Sequence, residues 1–250
     1  MLMIPKKIHY CWFGGNPLPE SAHKCIDSWK KFLPDYEIFQ WDESNYDVNK
    51  IPYIAEAYKC KKYAFVSDYA RFDILYQHGG LYFDTDVEVI RSFDDIIASG
   101  PFMGFEKRRD SQNGGLGVNP GLGFGVNPGL GLYSEILDIY SHLHFIKDDG
   151  SYNLKTIVRY TTDLLISKGL ILDNTLQTVA GVTIYPWDYF CPIAYLSSKL
   201  EITKNTRSIH HYTATWVSPY IKLKIKISQL MGSILTNAIV SIKQFIKRKS

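Results

Sequence analysis

The spacing of apolar residues divides the first third of the chain into alternating strands and helices. Over 19–32 apolar side chains recur with helical spacing, which is typical of an amphipathic helix, and Ser21 is a candidate N-cap. We predict strands and helices in the order strand 6–13, helix 19–32, strand 36–41, helix 55–78 and strand 81–90. Strand, helix and strand at this spacing indicate a βαβ unit with parallel strands, and therefore an α/β fold.

Later segments continue the helical pattern. We predict further helices at 133–144 and 154–168 and a late strand or turn at 183–189. In open α/β sheets ligands bind beyond the carboxyl ends of the strands. Trp12, the two glycines after it, and Asp84 and Asp86 of the strand at 81–90 are therefore expected at that edge.

Residues 63–89, YAFVSDYARFDILYQHGGLYFDTDVEV, contain a charged helix face. Asp68 and Arg71 lie one helical turn apart, and the helix is predicted to end at the glycine pair 79–80. An ion pair within the helix, worth only about 0.2–0.5 kcal/mol, explains the same spacing. Function and simple helix stabilisation both remain open for this pair.

Asp84 and Asp86 follow on the predicted strand, where residues two apart point to the same face. Like charges held close together cost free energy unless a cation lies between them. The pattern favours a hard divalent ion, Mg²⁺ or Mn²⁺, with a diphosphate as co-ligand. A half-exposed edge strand shows the same alternation without binding a metal.

Four segments in this order resemble glycosyltransferase family 32, namely IPKKIHYCWFGG, SDYARFDILYQHGGLYFDTDVEV, TIYPWDYFCP and IHHYTATW, spread over residues 4–216. That family includes bacterial capsular polysaccharide glycosyltransferases and initiating mannosyltransferases of the yeast Golgi. It is more distantly similar to the catalytic domain of the large clostridial glucosylating toxins. The resemblance implies a single GT-A-type domain with a mixed, mostly parallel sheet, and a retaining, metal-dependent transfer of a hexose from a nucleotide-diphosphate sugar.

The resemblance also implies roles for individual residues. Trp12 would stack on the nucleotide base, and the second DXD aspartate would bind the ion directly. The implied catalytic residues are Asp68, Arg71, Asp84 and Asp86. The implied donor-binding residues are Trp12, Phe13, Gly14, Asp68, Arg71, Tyr82, Asp84 and Trp216. The implied ligands of Mn²⁺ or Mg²⁺ are Asp84, Asp86 and His210, with His211 as the alternative to the histidine.

Composition limits the class of protein. The chain has 250 residues, of which 46% are hydrophobic, so it can bury the core of one domain. Its four cysteines show neither a C-x-x-C pair nor metal-ligand spacing, and Cys11 and Cys25 are predicted to be buried thiols. The first residues lack a signal-peptide pattern, and no run of 18 apolar residues occurs. We therefore expect a cytoplasmic protein without a transmembrane helix.

The formal net charge of +3 is concentrated at one end of the chain. Residues 221–250 contain seven of the 28 basic residues and no acidic residue. The rest of the chain has no basic stripe with interleaved aromatic residues, so we expect no nucleic-acid partner. We divide the chain into a transferase domain, 1–217, and a basic amphipathic helix, 218–250, which we interpret as an anchor on anionic membrane at the inner face of the cell membrane.

An octapeptide occurs twice in succession, GVNPGLGF at 117–124 and GVNPGLGL at 125–132. Two copies are too few for a solenoid, and the density of glycine and proline predicts a loop over 111–132. One interpretation is a flexible lid on the acceptor side, and the other is a surface insertion duplicated by slippage. We favour the insertion for one copy and expect the loop as a whole to lie near the site.

The expected function is transfer of a hexose, with a UDP-sugar favoured and GDP-mannose as the alternative donor. The expected acceptor is a growing surface or capsular polysaccharide, or a glycan carried on a polyprenyl lipid. Two other functions remain open, a nucleotide-sugar hydrolase and a non-catalytic membrane-associated scaffold of a polysaccharide assembly complex.

Overall fold

The computed structural model describes residues 3–107, 115–193 and 200–213 of the chain. Within these residues the strands are Lys7–Cys11 (β1), Glu37–Trp41 (β2), Gly80–Tyr82 (β3), Val87–Val89 (β4), Phe102–Lys107 (β5), Leu116–Val118 (β6), Phe124–Val126 (β7), Gln177–Val179 (β8), Val182–Tyr185 (β9) and Ser208–His210 (β10). The helices are Glu20–Phe32 (α1), Pro52–Lys59 (α2), Tyr63–His78 (α3), Asp94–Ala98 (α4), Gly131–Ser141 (α5), Ile157–Ser167 (α6) and Trp187–Phe190 (α7).

The main sheet has eight strands in the order β2-β1-β3-β7-β5-β9-β8, and β6 joins it beside β5. β1 is parallel to both of its neighbours, and β5 is parallel to β9, whereas β6, β7 and β8 run the other way. Five of the eight strands therefore share one direction. The expected α/β fold, with a mixed and mostly parallel sheet flanked by helices, is confirmed.

The predicted βαβ unit is present, since α1 connects β1 to β2 and these two strands pair in parallel. Helix α1 turns Cys25, Ile26 and Trp29 inward, as its apolar spacing predicts, and the Trp29 indole donates a hydrogen bond to the Val87 carbonyl over 2.7 Å. The prediction that Ser21 caps this helix is wrong. The helix begins at Glu20, so Ser21 lies inside its first turn, and no side chain caps it.

Side chains of the sheet alternate between two hydrophobic clusters. Leu81 and Phe83 pack with α1, α4 and α7 on one face, and Tyr82 packs with α2, α3, α5 and α6 on the other. Because side chains along an extended chain alternate with a period of two residues, the consecutive residues 81–83 contact both clusters. The central sheet is therefore covered on both sides.

The segment predicted as one helix, 55–78, is two helices. Helix α2 already begins at Pro52, and residues 60–62 separate it from α3, with Lys61 in a left-handed conformation at φ 57°. The predicted end of the second helix is confirmed, because Gly79 and Gly80 have φ values of 62° and 100° and lead directly into β3. A side chain on either glycine would also meet backbone atoms of a neighbouring segment.

The segment predicted as one strand, 81–90, is also interrupted. β3 ends at Tyr82, a turn closed by a hydrogen bond from the Val87 amide to the Asp84 carbonyl follows, and β4 then pairs with β10 in a separate two-stranded sheet. The argument that Asp84 and Asp86 share one face of a strand is therefore wrong. They belong to the turn that carries the chain out of the main sheet.

The duplicated octapeptide is not a surface loop. β6 and β7 lie within it, and Val118, Leu122, Phe124 and Val126 are fully buried. In each copy the Gly-Val pair ends a strand and the Asn-Pro-Gly that follows leaves it. The prediction of a loop at the surface is wrong for this segment, because its apolar residues at alternate positions lie in the core. The expected position near the site is confirmed, since Gly121 packs against Asp84.

The predicted helix at 218–250 and the residue Trp216 lie outside the described residues. Within the described part of the chain, every helix is too short or too polar to cross a bilayer.

Gly125, the first residue of the second octapeptide, tests whether the repeat belongs to the core. A Cβ atom there would come within 2.6 Å of both the Leu81 and the Phe102 side chains. We expect Gly125→Ala to lower the free energy of unfolding in urea by about 1–3 kcal/mol through overpacking. Gly131→Ala is the matched control, since nothing lies within 4 Å of its Cβ position and alanine favours the first turn of α5. Equal stability of the Gly125→Ala protein and the wild type would contradict this placement.

Candidate active site

The candidate residues lie where β1 and β3 end at the same edge of the sheet. These strands are parallel neighbours with His9 opposite Tyr82. Trp12 to Gly14 follow β1, and Asp84 to Asp86 follow β3, so both segments leave the sheet at its carboxyl edge. The expected edge is therefore correct, although a turn and not a strand carries the two aspartates.

Arg71 connects the helix to the turn. Its guanidinium lies 3.2 Å from Asp68 Oδ1 and 3.2 Å from Asp84 Oδ1, and its side chain is only 5% exposed. The carbonyl of Ser67 accepts a further hydrogen bond from Arg71 Nε, and the ring of Tyr82 lies 5.0 Å from the guanidinium carbon. The intrahelical ion pair that the sequence left open is therefore present, but it is buried and Asp84 adds a third charge from outside the helix.

Asp68 is held from two sides. One oxygen pairs with Arg71, and the other accepts a hydrogen bond from the backbone N–H of Ile157, the first residue of α6, over 3.2 Å. Burial raises the pKa of Asp68 to about 6, although Arg71 and this N–H act in the opposite direction. The partners therefore offset part of the cost of burying the carboxylate.

A second group of side chains meets beside Asp84. Ligand atoms of Asp84, Asp86 and His210 all lie within 4.8 Å of one another. His210 lies on β10, whose pairing with β4 brings its Nε2 to 3.0 Å from Asp86 Oδ1. His211, the alternative ligand, points away and pairs with Glu88 over 2.8 Å. The structure thus brings His210 and not His211 to the two aspartates.

Electrostatics in this group favour added positive charge. Burial, reinforced by Asp86, raises the pKa of Asp84 although Arg71 opposes this. Burial lowers the pKa of His210, but the nearby carboxylates, Asp86 first among them, outweigh burial and raise it. Asp68, Asp84 and Asp86 together carry three negative charges, and the Arg71 guanidinium beside them carries one positive charge. Two negative charges are therefore in excess when His210 is neutral.

These residues fit a divalent cation. Two carboxylates and an imidazole are ligands that Mn²⁺ and Mg²⁺ accept, and one such ion balances two negative charges. Ligand atoms at roughly 2.0–2.2 Å from an ion can be no more than about 4 Å apart, so the group needs only a small contraction. Nδ1 of His210 is buried and has no hydrogen-bond partner among the described residues, so the group contains a polar atom whose bonding is unsatisfied.

The residues after β1 differ in exposure. Phe13 is buried against the ring of Tyr46 at 5.9 Å, so it supports the loop from within. Trp12 is partly exposed, and its indole donates a hydrogen bond to the Asn16 carbonyl over 2.6 Å. Gly14 has φ 101°, and a Cβ there would overlap the Tyr63 ring. Trp12 is therefore the member of this segment with an exposed ring face.

The sequence analysis missed three residues at this site. Gly121 packs directly against the Asp84 carboxylate and Arg71, and the buried side chains of Asn119 and Glu106 lie behind it. For Asn119 and Gly121 a signal was present in the alternation of Val118, Leu122, Phe124 and Val126, which predicts strand ends flanking an Asn-Pro-Gly turn.

The chain is similar over part of its length to known proteins. Residues 19–103 match the family described as "Glycosyltransferase sugar-binding region containing DXD motif". The chain is similar to inositol phosphoceramide mannosyltransferase 3 of Schizosaccharomyces pombe, with 35% identity over 38% of this chain and 27% of that protein. It is also similar to the initiation-specific alpha-1,6-mannosyltransferase of Candida albicans, with 25% identity over 47% of this chain and 33% of that protein.

The chain thus spans about a third or less of the length of these two relatives. Among solved structures, a glycosyltransferase involved in the glycosylation of the major capsid of PBCV-1 aligns with a TM-score of 0.47 and 13% identity, covering 91% of this chain and 100% of that chain.

The raised pKa of His210 predicts that binding of Mn²⁺ depends on pH. The imidazole must be neutral to coordinate, and its pKa lies above the usual 6.5, so protons compete with the ion at and below that raised value. We expect affinity for Mn²⁺, measured by electron paramagnetic resonance of the free ion, to fall by up to about tenfold per pH unit as the pH decreases through this range.

The two adjacent histidines provide the control for this measurement. His210→Ala should bind Mn²⁺ more weakly and with a flatter pH dependence, whereas His211→Ala should retain the wild-type profile because His211 pairs with Glu88. The assignment of His210 fails if the His211 variant, and not the His210 variant, loses the pH dependence.

Proposed function

We propose that the chain is a retaining, metal-dependent hexosyltransferase of the glycosyltransferase family 32 type that uses a nucleotide-diphosphate sugar. The carrying observation is that one buried guanidinium, Arg71, joins Asp68 to Asp84 beside the group of Asp84, Asp86 and His210. Four of these five residues belong to the segment that matches the DXD sugar-binding region.

Each residue has a separate task in this proposal. Asp68 accepts hydrogen bonds from hydroxyls of the donor sugar, and Arg71 holds Asp68 and Asp84 in position while offering N–H groups to the sugar or the diphosphate. Tyr82, whose ring lies against Arg71, would contact the donor. Trp12 stacks on the nucleotide base, a contact worth roughly 1–3 kcal/mol in nucleic-acid analogues.

Asp84, Asp86 and His210 would hold the divalent ion against the diphosphate. When bound, the ion supplies positive charge that stabilises the departing nucleoside diphosphate. The anomeric carbon exchanges its bond to the diphosphate for a bond to the acceptor oxygen on the same face. The proton of the acceptor hydroxyl passes to the leaving phosphate, so this step requires no covalent carboxylate intermediate.

The match to a DXD sugar-binding region supports a nucleotide-diphosphate sugar as the donor, and it does not define the sugar. We favour a UDP-sugar, and the names of the two relatives as mannosyltransferases make GDP-mannose the main alternative. The acceptor we propose is a surface or capsular polysaccharide or a glycan carried on a polyprenyl lipid. A basic segment at 221–250 would hold the protein at the anionic inner surface of the cell membrane, near such an acceptor.

Two other functions make different predictions. A nucleotide-sugar hydrolase would use water as acceptor, and added glycans would not compete with hydrolysis. A buried cluster of charges costs stability through desolvation. A non-catalytic scaffold would have no need to retain such a cluster. The cluster therefore favours an enzyme over a scaffold.

Donor turnover tests the proposal. We expect the purified protein to release nucleotide from one donor among UDP-glucose, UDP-galactose, UDP-N-acetylhexosamines and GDP-mannose in the presence of Mn²⁺, and to stop when EDTA is added. Asp86→Asn should lower turnover by about 100-fold or more, because a ligand that stabilises the transition state is lost. Glu88→Gln, two residues further on and paired with His211, should turn over at the wild-type rate.

Three results would change this conclusion. EDTA-resistant turnover would remove the metal from the mechanism, and hydrolysis that outpaces transfer to every added glycan would favour the hydrolase. Absence of both turnover and metal-dependent nucleotide binding would favour the scaffold.

The membrane proposal has its own test. The full chain should sediment with vesicles that contain anionic lipid and should be released at high salt, because basic side chains contribute about 1 kcal/mol each near such a surface. Replacement of Lys243, Lys247, Arg248 and Lys249 by glutamine should abolish binding. Equal binding to neutral vesicles would contradict an electrostatic anchor.

A further inference from the structure

A buried carboxylate lies behind the candidate metal ligands without belonging to them. Glu106, in β5, is 5% exposed. Its Oε2 accepts one hydrogen bond from Asn119 Nδ2 over 2.8 Å and another from the Tyr212 hydroxyl over 3.1 Å. One oxygen atom therefore joins two segments that are distant in sequence. Glu106 is not part of the group whose ligand atoms converge.

The first contact leads to Asp84. Asn119 Oδ1 accepts a hydrogen bond from the Gly121 amide over 2.6 Å, and the Gly121 carbonyl accepts one from the Asp84 amide over 3.1 Å. The turn lies so close to Asp84 that a Cβ on Gly121 would overlap its carboxylate and approach Arg71 to 3.0 Å. Any displacement of the turn would therefore move Asp84.

The second contact leads to His210. The rings of Tyr212 and His210 have centroids 4.1 Å apart, so the position of one ring limits the other. Tyr212 has φ 49°, a left-handed conformation that is unfavourable for a residue with a side chain. Its hydroxyl donates a hydrogen bond to Glu106 Oε2, which stabilises this conformation, and the Cys191 thiol lies 3.0 Å from the same hydroxyl.

We propose that Glu106 is a positioning residue for the metal centre, setting Asp84 through Asn119 and Gly121 and setting His210 through Tyr212. This inference rests on the proposed metal-dependent function. Hydrogen-bond partners behind metal ligands orient those ligands, and their loss typically lowers metal affinity by 10–100-fold. Glu106 would act on two ligands of the group through a single atom.

The test measures binding of Mn²⁺ by electron paramagnetic resonance, with unfolding in urea measured on the same variants. We expect Glu106→Ala to weaken Mn²⁺ binding by about 10–100-fold. Glu106→Gln should recover most of the affinity, because the amide oxygen can accept both hydrogen bonds. Asp73→Asn is the control for loss of a buried carboxylate, since the hydrogen-bond partners of Asp73 are Lys50, Tyr46 and Gln77. It should lose stability and keep its affinity for Mn²⁺.

The two contacts can be tested separately. Asn119→Ala removes the link to Asp84, and Tyr212→Phe removes the hydroxyl while keeping the ring beside His210. Each should weaken Mn²⁺ binding by roughly tenfold, and each should have a much smaller effect when added to Glu106→Ala, because the shared partner is already absent. Cys191→Ala should bind Mn²⁺ normally, which separates the role of Glu106 from that of the thiol.

Specific outcomes would overturn the inference. A folded Glu106→Ala protein with wild-type Mn²⁺ affinity would do so, as would fully additive effects of Glu106→Ala and Tyr212→Phe. If Glu106→Ala does not fold, unchanged affinity in both Tyr212→Phe and Asn119→Ala would overturn it equally. A wild-type protein that binds no Mn²⁺, alone or with UDP or GDP, would instead refute the proposed metal-dependent function itself.

Discussion

The arrangement of the site depends on one buried cation, the guanidinium of Arg71. It lies between Asp68, on the same helix, and Asp84, on the turn after β3, and all three side chains are largely shielded from water. Removal of one partner from a buried ion pair typically costs about 3–5 kcal/mol, because the remaining charge is left uncompensated. The helix and the turn are therefore tied to each other at the point where the donor is proposed to bind.

Several features of the fold serve this contact. Gly79 and Gly80 allow α3 to reverse directly into β3, which places Arg71 above the strand that leads to Asp84. The N-terminus of α6 meets Asp68 from the other side through the Ile157 amide. The pairing of β4 with β10 then brings His210 to Asp86 across more than a hundred residues of sequence. Local chain reversal fixes one half of the site, and a long-range strand pair completes it.

Local sequence signals predicted the first half well. The glycine pair, the parallel βαβ unit and the placement of Trp12 and the aspartates at one sheet edge follow from residue type and spacing. The interruption between β3 and β4 did not follow, because the alternation of apolar residues continues through the turn while the hydrogen-bond partners change from β1 to β10. Only the tertiary pairing distinguishes the two cases.

The octapeptide repeat shows a different limit. Its glycine and proline content predicted a loop, yet close packing requires small residues there, as Gly121 against Asp84 and Gly125 between two neighbouring strands demonstrate. The choice between His210 and His211 likewise depended on which face of β10 turns toward Asp86. Glu106 and Tyr212 had no local signal, because their importance comes from contacts between segments about a hundred residues apart.

The position of the metal is the central claim, and anomalous diffraction tests it most directly. Crystals grown with Mn²⁺ and either UDP or GDP would be measured at the manganese absorption edge. We predict one strong anomalous peak bounded by Asp84, Asp86 and His210, with the diphosphate completing its coordination. A peak elsewhere, or ordered nucleotide with no peak at this group, would contradict the account.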